Sequence, residues 1–74
     1  MENNNVLQPL NLSLERELIA SIFEAENKKN LSLLDYYLLK YKCKFRKSID
    51  FENINPYKKY LVRRIDKLIY KRLK

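Results

Sequence analysis

Seventy-four residues, 46% of them apolar, make one small domain with a limited core, a composition that argues against outright disorder. The formal charge of +7 comes with no histidine, one cysteine and no glycine. That inventory excludes a zinc site, a disulfide framework, a histidine general base and a glycine-rich phosphate loop.

Residues 1–11 are polar, contain Pro9 and read as an extended arm; residues 12–74 read as a single small helical domain. The opening MENNN has the character of neither a secretory signal nor an Arg-rich transit peptide. Ser13 can cap a helix whose first turn carries Glu15 and Glu17, and Leu14, Leu18, Ile22 and Ala25 step by three or four. The spacing predicts a helix over 14–26, followed by a break at Asn27 to Asn30. Ser32 with Asp35 three residues later suggests a capping box. Leu34, Leu38, Tyr41 and Phe45 then give one apolar stripe, with a basic stripe of Lys40, Lys44 and Lys47 beside it. A second helix is expected over 33–48.

Cys43 falls inside that helix, where a small buried hydrophobe is the expected reading, and a lone cysteine fits a reducing compartment. Tyr36, Tyr37 and Tyr41 sit at helical spacing and read as packing residues ahead of base-stacking ones. Ile49 to Ile54 is expected as a loop. Asn55-Pro56 is a strong helix start, with Asn as N-cap and Pro at the first helical position, where its missing N–H costs nothing. A third helix is expected over 57–73. The fold class is all-α: helices two and three form an antiparallel hairpin, with Leu34, Leu38, Tyr41 and Phe45 facing Leu61, Ile65, Leu68 and Ile69. The first helix is additional. With no glycine to take a left-handed turn, tight hairpin turns are not expected.

Charge separates the two halves. Residues 1–37 carry six acids against three bases, and residues 38–74 carry thirteen bases against three acids. In the third helix Lys59, Arg63, Lys67 and Lys71 recur every four residues as one basic ridge, opposite the apolar stripe. Such a helix has an apolar side for another helix and a basic side for a polyanion, and cations placed on phosphates bind through counterion release without reading sequence.

A resemblance runs from about Lys40 to Lys74. Lys44-Phe45 ends a helix, Ser48 follows three residues on, and a short loop leads to Asn55-Pro56. Val62-Arg63-Arg64 then begins six residues after the proline, and an apolar and basic tail follows at Ile65, Leu68, Ile69 and Arg72. This order resembles the large-subunit ribosomal protein number twenty-nine family of bacterial and organellar type. In that family a first helix ends in Leu-Arg-Phe-Gln, and a second starts after Asn-Pro and carries Val-Arg-Arg, then Ile-Ala-Arg. The chain departs from the pattern at Arg46, where the family has Gln, and at Asp66 and Lys67 within the second motif.

The resemblance implies a helical hairpin on large-subunit rRNA near the polypeptide exit tunnel, beside ribosomal protein twenty-three, with no reaction, cofactor or small-molecule substrate of its own. By position it implies Lys44, Arg63 and Arg64 as phosphate contacts. The helical wheel adds Lys47, Lys59, Lys67 and Lys71. The abundance of Asn, Lys, Tyr and Ile suggests an AT-rich gene, hence an organellar ribosome, with the cytoplasm of a low-GC bacterium as the alternative. The main rival function is a small protein-binding helical regulator or adaptor, since Leu12 to Glu17 is similar to the start of the phycobilisome-degradation adaptor family. A membrane-surface amphipathic helix and a free DNA binder are further readings. No apolar run reaches the ~20 residues of a membrane span.

Overall fold

The computed structural model describes residues 3–73, with side chains placed for 14–73. The described chain is all-α: α1 (Asn3–Asn27), α2 (Leu31–Lys44) and α3 (Pro56–Arg72), with short 3-10 turns at Arg46–Ser48 and Phe51–Asn53 between α2 and α3. Leu18, Ile19, Ile22 and Ala25 of α1, Leu34, Leu38 and Tyr41 of α2, and Ile65 of α3 form one buried cluster. These positions are the three-and-four spacings that the sequence presents on each helix. Phe45, Leu61, Leu68 and Ile69 pack around it, half-buried.

The segment expected as an extended arm is helical from Asn3, so Ser13 is an interior position of α1 rather than its cap. Leu7, Leu10, Leu14 and Leu18 carry helical spacing through Pro9, and extending a formed helix costs far less than nucleating one. Residues 1 and 2 of that arm lie outside the described residues.

The break after α1 is a left-handed turn built without glycine. Lys29 takes φ 59°, its N–H bonds to the Glu26 carbonyl at 3.1 Å, and the Asn30 N–H reaches back to the Ala25 carbonyl at 3.0 Å. This is the Schellman pattern, with lysine in the place glycine normally takes. The next residue, Asn30, caps α2: its side chain accepts from the Leu33 N–H at 3.4 Å. The expected Ser32–Asp35 capping box therefore does not form, and α2 begins two residues earlier than predicted. The turn sends α2 back along α1, and the two helices share the longest contact in the molecule.

The second helix ends at Lys44 rather than 48. Phe45, at φ −118°, still donates its N–H to the Tyr41 carbonyl, but Ser48 and Ile49 then donate to Phe45 and Arg46 three residues back, so the chain continues as a 3-10 turn. The expected loop at 49–54 likewise contains a 3-10 turn. The Asn55-Pro56 start is as predicted: the Asn55 side chain accepts from the Lys58 N–H at 2.8 Å. α3 runs antiparallel to α2, because Asp35 near the start of α2 meets Arg72 at the end of α3, while Arg46 beyond α2 meets Asp66. Of the predicted stripe Leu61, Ile65, Leu68 and Ile69, only Ile65 is fully buried; Val62, outside that stripe, is fully buried with it. Cys43, expected inside, is exposed. No helix among the described residues is long and apolar enough to cross a membrane.

Candidate nucleic-acid interface

α3 carries seven bases and one acid, and the fold divides them by role. Three bases hold α3 to the other helices. Lys58 reaches the buried Glu15 of α1, Nζ to Oε2 2.9 Å. Arg64 lies 3.3 Å from Glu26 of α1, donates to the Tyr60 hydroxyl at 3.3 Å, and places its guanidinium 5.2 Å from the Phe23 ring centre. Arg72 forks onto both oxygens of Asp35 in α2, and that hydrogen bonding holds the Asp35 carboxyl below its usual range. The single acid is also engaged. Arg46 donates Nε and Nη2 to the two oxygens of Asp66 at 2.9 and 3.0 Å, and this pairing raises the arginine's affinity for its proton.

The remaining four are Lys59, Arg63, Lys67 and Lys71, the predicted ridge. None has an ion-pair partner among the described residues. They lie on the side of α3 away from Val62 and Ile65, spread over about 18 Å of helix. Arg63, Lys67 and Lys71 are exposed, and Lys59 is half-buried. Phe51, on the second 3-10 turn, sits beneath the first two: Lys59 Nζ is 5.7 Å and the Arg63 guanidinium 5.5 Å from its ring centre. That contact ties the connecting turn to α3 and orients two of the ridge cations before any partner arrives. Phe51 has no periodic signal in the sequence, because its partners lie on another element.

The seven bases expected at an RNA surface therefore do not form one patch. Lys59, Arg63, Lys67 and Lys71 share a face. Arg64 is turned toward α1. Lys44 is exposed on the flank of α2 that faces α1, lining a groove with Glu17, Leu18 and Ser21, and Lys47 is exposed on the first 3-10 turn. Tyr41, one of the three tyrosines weighed for stacking, is fully buried. Burial pushes its hydroxyl pKa up to about 12, with the Glu15 carboxylate adding to the shift. Tyr36 is exposed, with Lys40 Nζ 5.7 Å from its ring centre and Tyr37 packed at a tilt.

Three exposed tyrosines of α3, Tyr57, Tyr60 and Tyr70, escaped the sequence reading, and two of them join the ridge. Tyr60 and Tyr70 are 54% and 72% exposed. They complete a line Tyr60, Arg63, Lys67, Tyr70 at steps of three, four and three, a spacing that keeps all four on one side of a helix. Elsewhere, an open groove of about 540 Å³ between α1 and α3 is lined by Ile19, Ala20, Phe23, Tyr57 and Leu61, with the Glu15–Lys58 pair along it. Among the described residues no group of three His, Cys, Asp or Glu side chains gathers as a metal site.

The charge pattern thus runs across the molecule: α1 from Leu14 onward carries Glu15, Glu17, Glu24 and Glu26 against Arg16, while the outer side of α3 presents cations. Glu24 pairs with Lys28 at the end of α1, 3.1 Å apart. No protein-family model, curated protein or solved structure matches this chain.

Proposed function

We propose that the chain is a structural RNA-binding protein, a constituent of the large ribosomal subunit that lies on rRNA through the outer side of α3. The observation that carries this reading is the division of the α3 cations. Among the described residues, every α3 base turned toward the other helices has a carboxylate, and no base on the outer ridge has one. Four adjacent like charges repel one another in the free protein, and a phosphate backbone relieves that cost while releasing counterions. Bases that served only solubility would gain from interspersed acids, and the one acid on α3 is instead neutralised by Arg46.

Arg46 and Asp66, two of the positions where the chain departs from the ribosomal pattern, are bonded to each other and hold α3 to the end of α2. In this reading the chain has no catalytic role, its neighbours are large-subunit rRNA and ribosomal protein twenty-three, and the ribosome is an organellar one.

Co-sedimentation tests it. The tagged full chain is expected to run with large ribosomal subunits in low salt and to be stripped from them as salt rises. Replacement of Lys59, Arg63, Lys67 and Lys71 by Gln is expected to leave it at the top of the gradient with its helicity intact. Migration with a single protein and no RNA at every salt concentration would refute the proposal and favour an adaptor role.

A further inference from the structure

We infer that the line Tyr60, Arg63, Lys67, Tyr70 is a site for unpaired nucleotides, with the two cations on phosphates and the two rings stacked on bases. This rests on the reading of α3 as an RNA-contacting helix and names the kind of RNA it contacts.

The first observation is the type of apolar surface that α3 leaves in water. Its exposed large apolar side chains are Tyr57, Tyr60 and Tyr70, whereas α2 exposes Leu31, Leu33 and Leu39 as well as Tyr36. Tyrosine anchors protein interfaces as well, but here the two rings flank cations that have no carboxylate partner among the described residues. That alternation suits a nucleotide strand, in which every base has a π face that stacks on tyrosine whatever its sequence. The second observation is placement. Tyr60 and Tyr70 lie about 15 Å apart along the axis, and Arg63 and Lys67 occupy the intervening turns of the same side. A single strand laid along the helix meets ring, cation, cation and ring in order. Bases held inside a duplex are stacked on one another and cannot reach a flat ring on a helix surface, so the arrangement selects loops, bulges or ends.

The surroundings fit this use. Tyr70, Asp66, Lys67 and Lys71 wall an open hollow of about 470 Å³ beside the ridge. The Asp66 carboxylate there is held by Arg46, so an incoming phosphate meets a neutralised acid instead of a free one. At the other end, the Arg64 guanidinium lies 5.9 Å from the Tyr60 ring centre and bonds its hydroxyl. That contact fixes the ring on the helix surface, with more than half of the residue left open to a partner.

The test compares two RNAs on the full chain by fluorescence anisotropy: a labelled single strand of about twelve nucleotides, within the usual site sizes for such surfaces, and a blunt duplex of the same length. The expected result is tighter binding of the single strand. Tyr60→Ala with Tyr70→Ala should weaken the single strand by roughly 5- to 150-fold for each stacked base lost. It should leave the salt dependence and the duplex affinity unchanged. Tyr60→Phe with Tyr70→Phe should retain binding, and Leu at both positions should not. Arg63→Ala with Lys67→Ala should instead flatten the salt dependence, by about 0.7 per lost phosphate contact on a single strand. Both tyrosines are exposed, so unchanged circular dichroism is expected for every variant. Equal loss on single strand and duplex, or no loss on either, would overturn the stacking site while leaving phosphate binding in place. Absence of wild-type binding to both RNAs would overturn this inference together with the proposed function.

Discussion

Lys29→Gly is expected to stabilise the protein. The left-handed conformation at φ 59° crowds a β-carbon against the backbone, at a cost of about 1–2 kcal/mol that glycine escapes. Glycine also gives the unfolded chain more freedom, which returns about 0.4–1 kcal/mol of that gain. The turn's two hydrogen bonds, to Glu26 and Ala25, use backbone atoms and survive the change. The net gain of about 1 kcal/mol corresponds to a rise of about 4–8 °C in melting temperature for a domain of this size. Thermal melts followed by circular dichroism measure it, with Lys29→Ala as the control that keeps the β-carbon and gains nothing. The same variant removes a cation that lies off the α3 ridge, so its RNA affinity should follow the wild type. A Lys29→Gly melt at or below the wild-type temperature would refute the strained turn. An Ala variant that gained as much as Gly would place the effect in the lost charge.

Arg63→Ala and Arg64→Ala should separate although the residues are adjacent: the first flattens the salt dependence of RNA binding and lowers the melting temperature less than the second, having only its contact with Phe51 to lose, and the second lowers the melting temperature by loosening α1 from α3, with the salt dependence unchanged. Ile65→Val, at a fully buried site, should cost about 1 kcal/mol in chemical denaturation, and Ile65→Asp should abolish the cooperative transition by burying a charge against hydrocarbon. Tyr41 predicts an alkaline effect. Its folded pKa of about 12 lies above the value of 10.0 for a free tyrosine, so its contribution to stability is complete below pH 10 and is lost as pH rises toward 12. The ring-absorbance titration of wild type minus that of Tyr41→Phe should show a component near 12, and a component near 10 would refute the burial argument.

What the sequence disclosed depends on the range of the forces. The start of α3 was legible because Asn55 and Pro56 act on atoms within three residues of themselves. The buried faces of α1 and α2 were legible because periodicity is local too. Asp35 shows where this fails: its spacing from Ser32 suggested a cap, yet Arg72, far along the chain, supplies a forked partner that no local reading contains. The same limit hid the division between Arg63 and Arg64. Side by side they look like one clamp, and only the position of Glu26 and Phe23 in space turns the second inward. Lys29 was missed for an energetic reason, since packing α2 along α1 outweighs a strained turn that propensity alone argues against. Tyr60 and Tyr70 were present at legible spacing, but nothing in the spacing says whether a tyrosine faces core or water.

The most direct measurement is the salt dependence of full-chain binding to a large-subunit rRNA fragment between about 50 and 200 mM salt, for wild type and for the variant with Gln at Lys59, Arg63, Lys67 and Lys71. At about 0.7–0.9 per phosphate contact, the ridge predicts that the slope of log affinity against log salt flattens by about 3 in the variant. An unchanged slope would contradict it, and the remaining bases would then be the ones that meet the phosphates.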